Sequence, residues 1–221
     1  MTLDGSFSRG EEIANFVSHL VGASIALIGL VILIVYASIN SSGIHIVSAS
    51  IFGACMLILY ISSTLYHGLK SKRAKNVFFI CDQISIFLMI AGSYTPIALV
   101  ALGGTLGWIM FGIEWGIAIL GIIYISVFSK GYEKGIHPIK VIAFIIMGWL
   151  ALIAIKPLSV MLTGWGLALL LAGGVFYTLG VVFFAMEKVK YNHLVWHLFV
   201  ILGTLSHYLM VFMYIIPMRV N

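Results

Sequence analysis

The chain has 221 residues, of which 62% are hydrophobic and 9% charged, and its net charge is +5. Soluble domains carry about 25% charged residues, so an apolar surface of this extent has lipid as its expected solvent. The basic excess does not point to nucleic acid, because Lys and Arg sit in short loops between apolar runs.

The first dozen residues are polar and include Asp4, Glu11 and Glu12. No short apolar core with a small-residue cleavage site follows, so no secretory leader is expected. Crossing a hydrocarbon core of ~30 Å takes roughly 20 apolar residues in a helix. Seven such runs follow in order, at 17–39, 44–67, 77–99, 105–128, 139–156, 161–186 and 192–216. The expectation is an all-α seven-transmembrane-helix bundle, one domain over residues 1–221, without internal repeats. Cys55 and Cys81 fall inside apolar runs and read as small buried hydrophobes.

The loops give a direction. With the N-terminus cytoplasmic, the inside segments hold Arg9, Lys70, Lys72, Arg73, Lys75, Lys130, Lys134, Lys140, Lys188 and Lys190. That is ten of the twelve basic residues, leaving Lys156 and Arg219 outside. Positive residues favour the inside, so the N-terminus is read as cytoplasmic and the C-terminus as outside. Pro138, Pro157 and Pro217 are placed at helix ends, where a missing N–H does little harm. Pro96 is expected to bend the third span.

Titratable residues inside a span are costly and usually face a protein interior or a site. The candidates are His19, His45, His67, Asp82, Glu114, His193, His197 and His207, with Ser63 and Tyr66 beside His67. At ~1.5 Å rise per residue, His67 lies about 5 Å in from Lys70, and His193 and His197 about 5 and 10 Å in from Lys190. By the same rise Ser63 is about 10 Å deep and Asp82 about 9 Å in from Asn76, all in one leaflet. His207 lies about 25 Å from Lys190, towards the other leaflet. His45 is assigned to an outer loop and His137 to an inner one.

His193 and His197, four residues apart, project from one face of a helix. Two imidazoles so spaced can grip one metal ion, and a third from another helix completes a three-His set with an open position, as in catalytic zinc sites. Zinc lowers the pKa of a bound water to about 7 and polarises a carbonyl. Asp82 is placed in depth to accept a proton from that water, or alternatively partners a Lys or a helix end. Ser63, one turn before His67, either bonds the metal water or Asp82, or packs helices. Glu114 either lines a cavity or serves helix packing. His207 reads as a hydrogen-bonding residue of the bundle, and His19 as a brace at the entrance of the first helix.

The residues also stand in a recognisable order. Glu12, Asn15, Ser18, His19 and Gly22 form E-x-x-N-x-x-S-H-x-x-G. Ser63-Thr64-Leu65-Tyr66-His67 ends the second span, and Asp82 opens the third, which runs to Gly92-Ser93-Tyr94-Thr95-Pro96. His193-Leu194-Val195-Trp196-His197 opens the seventh, followed by His207. From about residue 11 to 216 the chain resembles the hemolysin III branch of the progestin and adipoQ receptor family. The resemblance implies seven helices with a cytoplasmic N-terminus and a zinc ion near that side on His67, His193 and His197. It places Asp82 and Ser63 in the surroundings of the zinc. Adiponectin receptors and the related alkaline ceramidases suggest zinc-dependent hydrolysis of a lipid amide. The short N-terminus departs from the receptors, argues against a protein-hormone receptor and fits a bacterial plasma-membrane protein.

The expected function is therefore a metal-dependent hydrolase acting on a lipid amide or ester in membrane lipid homeostasis, its acyl chain in the bundle interior. Two alternatives stand beside it. One is a non-enzymatic membrane-state regulator or receptor with structural zinc; the other is a hemolysin-like cytolytic protein, which the absence of a full-length polar stripe on any span disfavours. No nucleic-acid partner is expected.

Overall fold

The structure, a computed structural model, describes residues 7–128, 138–186 and 188–219. Asp4, Lys130, Lys134 and His137 lie outside the described residues. Among the described residues, seven helices are long and apolar enough to cross a membrane. They are α1 (Arg9–Asn40), α2 (Gly43–Gly68), α3 (Lys72–Leu102), α4 (Gly104–Phe128), α5 (Pro138–Met161), α6 (Trp165–Ala185) and α7 (Asn192–Ile215). No strand occurs among the described residues. The all-α, seven-span expectation holds.

The boundaries differ where polar chemistry extends a helix beyond its apolar run. The start of α1 lies at Arg9, not near 17, because Ser8 and Glu11 form a capping box: the Glu11 N–H donates to Ser8 Oγ, and Glu11 Oε2 accepts from the Ser8 N–H. This arrangement satisfies two of the donors that a helix start leaves open. In α3 the helix likewise begins in a polar stretch, at Lys72. Beyond Pro96 it continues as a π-helical segment, Ile97–Leu102, before Gly103 and Gly104 turn the chain at φ +59° and +51°. Such left-handed values suit glycine, which has no Cβ to clash.

The fifth span needs a correction. It does not stop before Pro157 but runs to Met161, with a 3₁₀ stretch at Leu150–Ala154 and a final helical turn, Ile155–Met161, that contains Pro157. The break is bridged from α3: the Tyr94 hydroxyl donates to the Gly148 carbonyl at 3.0 Å and accepts from the Ala151 N–H at 2.7 Å.

In the bundle, α1 packs on α2 and α7, α2 on α3, α3 on α4, and α6 on α7. The most interior helix is α3, with 78% of its apolar window buried against 17% in α4. On α1 the outward stripe Ile25, Ile28, Ile32, Val35 and Ile39 is exposed, at the three- and four-residue spacing of one helix face. Its opposite face, Asn15, His19, Gly22, Ala23 and Ala26, is buried. One end of the bundle gathers the start of α1, the α2–α3 link and the α6–α7 link. They are joined by the Tyr191 N–H donating to Glu11 Oε1 (3.1 Å) and by a Lys75–Glu12 ion pair. His19, His67, His193 and His197 lie at this end.

Candidate metal centre

The centre is built where two helix ends meet. The last turn of α2 carries His67, and the first two turns of α7 carry His193 and His197. The entry of α7 is pinned at Tyr191, which takes the left-handed conformation (φ 59°) while its N–H reaches Glu11. Asn192 closes the neighbouring end of α6, its amide donating to the carbonyls of Phe183 and Phe184.

All three imidazoles are buried, at 5%, 8% and 1% exposure for His67, His193 and His197. One ligand atom from each lies within 4.8 Å of the others. The Nε2 atoms of His67 and His193 face each other at 3.2 Å. Two imidazoles at ~2.0–2.1 Å from a tetrahedral zinc have nitrogens roughly 3.3 Å apart, so this pair fits such an ion, and the set is close enough to bind a metal.

The hydrogen bonds around the rings fix which nitrogen is free. His67 Nδ1 lies 2.7 Å from Glu12 Oε2. A carboxylate only accepts, so Nδ1 carries the proton and Nε2 presents its lone pair. His197 Nδ1 lies 3.0 Å from Ser18 Oγ, whose hydroxyl donates to the Asn15 carbonyl at 2.8 Å. The serine hydrogen is thus engaged and Oγ accepts from His197 Nδ1, again leaving Nε2 bare. A ligating His commonly donates its other N–H to a carboxylate or similar acceptor, and α1 supplies both acceptors here. Lys75 neutralises Glu12 from α3. Phe7 covers the outer side, its ring 4.9 Å from His193 and 5.7 Å from His67.

The α1 residues are what residue-by-residue inspection passes over. Glu12, Asn15 and Ser18 appear in the sequence only as part of a motif, without roles. The available signal was the spacing of Glu12, Asn15, His19 and Gly22, three and four residues apart, which puts them on one face. His19 does not brace the helix entrance as expected. It is buried at 2% exposure and stacks on His197.

Asp82 and Ser63 form a separate pair. Both are buried, and the Ser63 hydroxyl stands beside the Asp82 carboxylate across the α2–α3 contact, one turn deeper than His67. At that position Ser63 Oγ makes no hydrogen bond, and no hydrogen bond or ion pair joins Asp82 to the three imidazoles. The remaining candidates lie elsewhere. His45 belongs to the first turn of α2, not a loop, and bridges Ser42 Oγ and the Met218 carbonyl, each at 2.9 Å. His207 donates through Nε2 to the Leu170 carbonyl at 3.3 Å, tying α7 to α6. Glu114 is fully buried in α4, with neither carboxylate oxygen hydrogen-bonded.

The family model described as Haemolysin-III related matches residues 7–208, a stretch that takes in every residue of this centre. The chain belongs to the haemolysin-III family. It is 42% identical over 207 residues to Hemolysin-3 of Bacillus cereus, covering 94% of this chain and 93% of that protein. Against the Hemolysin-3 homolog of Bacillus subtilis (strain 168) the identity is 39% over 208 residues, with 94% and 96% covered. The Monocyte to macrophage differentiation factor of Homo sapiens is similar at 29% over 197 residues, covering 83% and 80%. Membership and the seven spans together make this a multi-pass membrane protein.

Proposed function

We propose that this haemolysin-III-family chain is a zinc-dependent hydrolase of a lipid amide or ester, with its N-terminus cytoplasmic and the substrate acyl chain in the bundle interior. The observation that carries the reading is the set of three buried imidazoles, two of them with Nδ1 committed to α1 acceptors and Nε2 left free. Three imidazoles with an open fourth position are the ligand pattern of a catalytic zinc site, and imidazole suits zinc as it does copper, iron and nickel. When bound, zinc supplies Lewis acidity at a carbonyl and a water of lowered pKa. Within the chain, His67, His193 and His197 hold the ion, and Glu12 and Ser18 fix the orientation of two of those rings. Asp82 acts as general base, taking the proton of the attacking water, with the Ser63 hydroxyl beside its carboxylate. The ten basic residues assigned to the inside loops support the orientation.

The test has two arms. Metal content is measured on purified wild type and on His67→Ala, His193→Ala and His197→Ala; about one zinc per chain is expected in the first and near none in the others. Acyl release is then followed from ceramide-like and phospholipid substrates. Equal zinc in all four proteins overturns the ligand assignment, and full occupancy without turnover on a broad panel overturns the hydrolase.

The names of the Bacillus relatives favour a second reading, membrane lysis. It predicts liposome leakage that depends on the protein and is insensitive to chelator, whereas the hydrolase reading predicts no such leakage.

A further inference from the structure

Next to the histidines, but outside them, a pocket opens at the basic end of the bundle. Its lining is Phe7, Glu12, Tyr66, Lys70, Lys72, Lys75 and Asn76, and its volume is about 260 Å³. Small-ligand pockets run to roughly 300–1,000 Å³, so this one suits a headgroup and leaves acyl chains outside. The charge in it is unbalanced. Glu12 is the one acid in the lining, and both its oxygens are engaged, one by Lys75 and the other by His67. Lys70 and Lys72 are exposed and have no carboxylate partner among the described residues. Among the described residues, the ammonium groups of Lys70 and Lys72 are therefore without a carboxylate, and the Asn76 amide stands beside them in the lining.

The helix that supplies three of the seven lining residues, Lys72, Lys75 and Asn76, is loaded against its own dipole. Lys72, Arg73 and Lys75 stand at the start of α3, whose first turn has no acidic residue, and Ser71 gives no side-chain cap. Helix starts favour negative charge and disfavour cations. An anion in the pocket relieves both the crowded lysines and the uncapped helix. Depth narrows the choice. The pocket lies where α2 ends at Gly68 and α3 begins at Lys72, the level of lipid headgroups, where lysines attract anionic lipid.

We propose that this pocket binds a phosphate monoester, as carried by an anionic lipid headgroup, on Lys70, Lys72 and Asn76. The site goes beyond the hydrolase reading and does not depend on an ion at the histidines. The α6–α7 link, with Lys188 and Lys190, is also basic but contributes nothing to the pocket, so it separates a built site from general attraction to a basic surface.

Native mass spectrometry of the purified full chain, titrated with lysophosphatidic acid or lysophosphatidylcholine, tests this. Wild type is expected to take up one lysophosphatidic acid at least tenfold more tightly than the zwitterionic lipid. Binding weakens at least tenfold in Lys70→Gln/Lys72→Gln, is retained in Lys70→Arg/Lys72→Arg, and is unchanged in Lys188→Gln/Lys190→Gln. Competition by glycerol phosphate at similar concentration assigns the site to soluble phosphate esters; failure to compete assigns it to the lipid. Equal affinity for the two lipids in wild type overturns the proposal. So does a Lys70→Gln/Lys72→Gln protein that binds like wild type, or a Lys188→Gln/Lys190→Gln protein that loses as much.

Discussion

The imidazole of His19 lies flat against that of His197, with ring centroids 3.5 Å apart and planes 11° from parallel. Its other side meets the Tyr60 ring edge-on at 5.1 Å, and neither ring nitrogen is hydrogen-bonded. The contact is one of shape, holding His197 in place from α1. His19→Ala removes a buried ring and should cost about 2–5 kcal/mol, as large-to-small core changes do. His19→Phe keeps a ring and should stay within about 1.5 kcal/mol of wild type. Thermal unfolding in detergent reads both, and equal losses would give the ring nitrogens a role that stacking does not supply.

Glu12→Gln keeps the shape of the His67 contact and removes its charge. Zinc affinity should fall about 10–100-fold, the usual effect of losing a ligand's supporting carboxylate. Competition with a graded chelator measures it. Wild-type affinity in the variant would remove Glu12 from the support of His67.

Asp82→Asn should retain zinc and lose about 10²–10⁴-fold in acyl release, the range for a general base. Ser63→Ala, which takes away only the neighbour of that carboxylate, should lose less. A protein with structural zinc alone would show no difference between Asp82→Asn and wild type in any functional readout.

Tyr94→Phe deletes both hydrogen bonds that span the 3₁₀ break in α5 and leaves the Ala151 N–H unpaired in a buried position. The expected destabilisation is about 1–3 kcal/mol, and hydrogen exchange at Ala151 should rise above that of its neighbours.

Gly173→Ala tests the α6–α7 seam. A Cβ there would come within 2.2 Å of the His207 ring, so the helices must part or His207 must give up Leu170. Overpacking of this kind costs about 1–3 kcal/mol or more. A variant as stable as wild type would show that the His207 ring moves freely.

The spans were readable because apolar length alone determines them, and so was the company of His67, His193 and His197, because helical rise sets depth. Helix starts were not, since Ser8 with Glu11 and the polar turn at Lys72 extend helices with residues that look like loop. The break in α5 was hidden because its Leu150–Ala154 stretch is as apolar as its surroundings, and only the Tyr94 bridge distinguishes it. The parts played by Glu12, Ser18 and His19 depend on which helix α1 lies against. Its polar face could be read, but not that Glu12 meets His67 of α2 while Ser18 and His19 meet His197 of α7, at the far end of the chain.

That separation has a consequence for how the protein is made. His67 and His193 are 126 residues apart, and Ser18 and His197 are 179 apart, so the cluster and its supports, from Glu12 to His197, draw on nearly the whole chain. During synthesis α2 brings His19 the edge of Tyr60, but the ring it stacks on, His197, arrives only with the last helix. The histidine centre thus closes the two ends of the chain on each other, and a chain stalled before residue 192 lacks two of its three imidazoles.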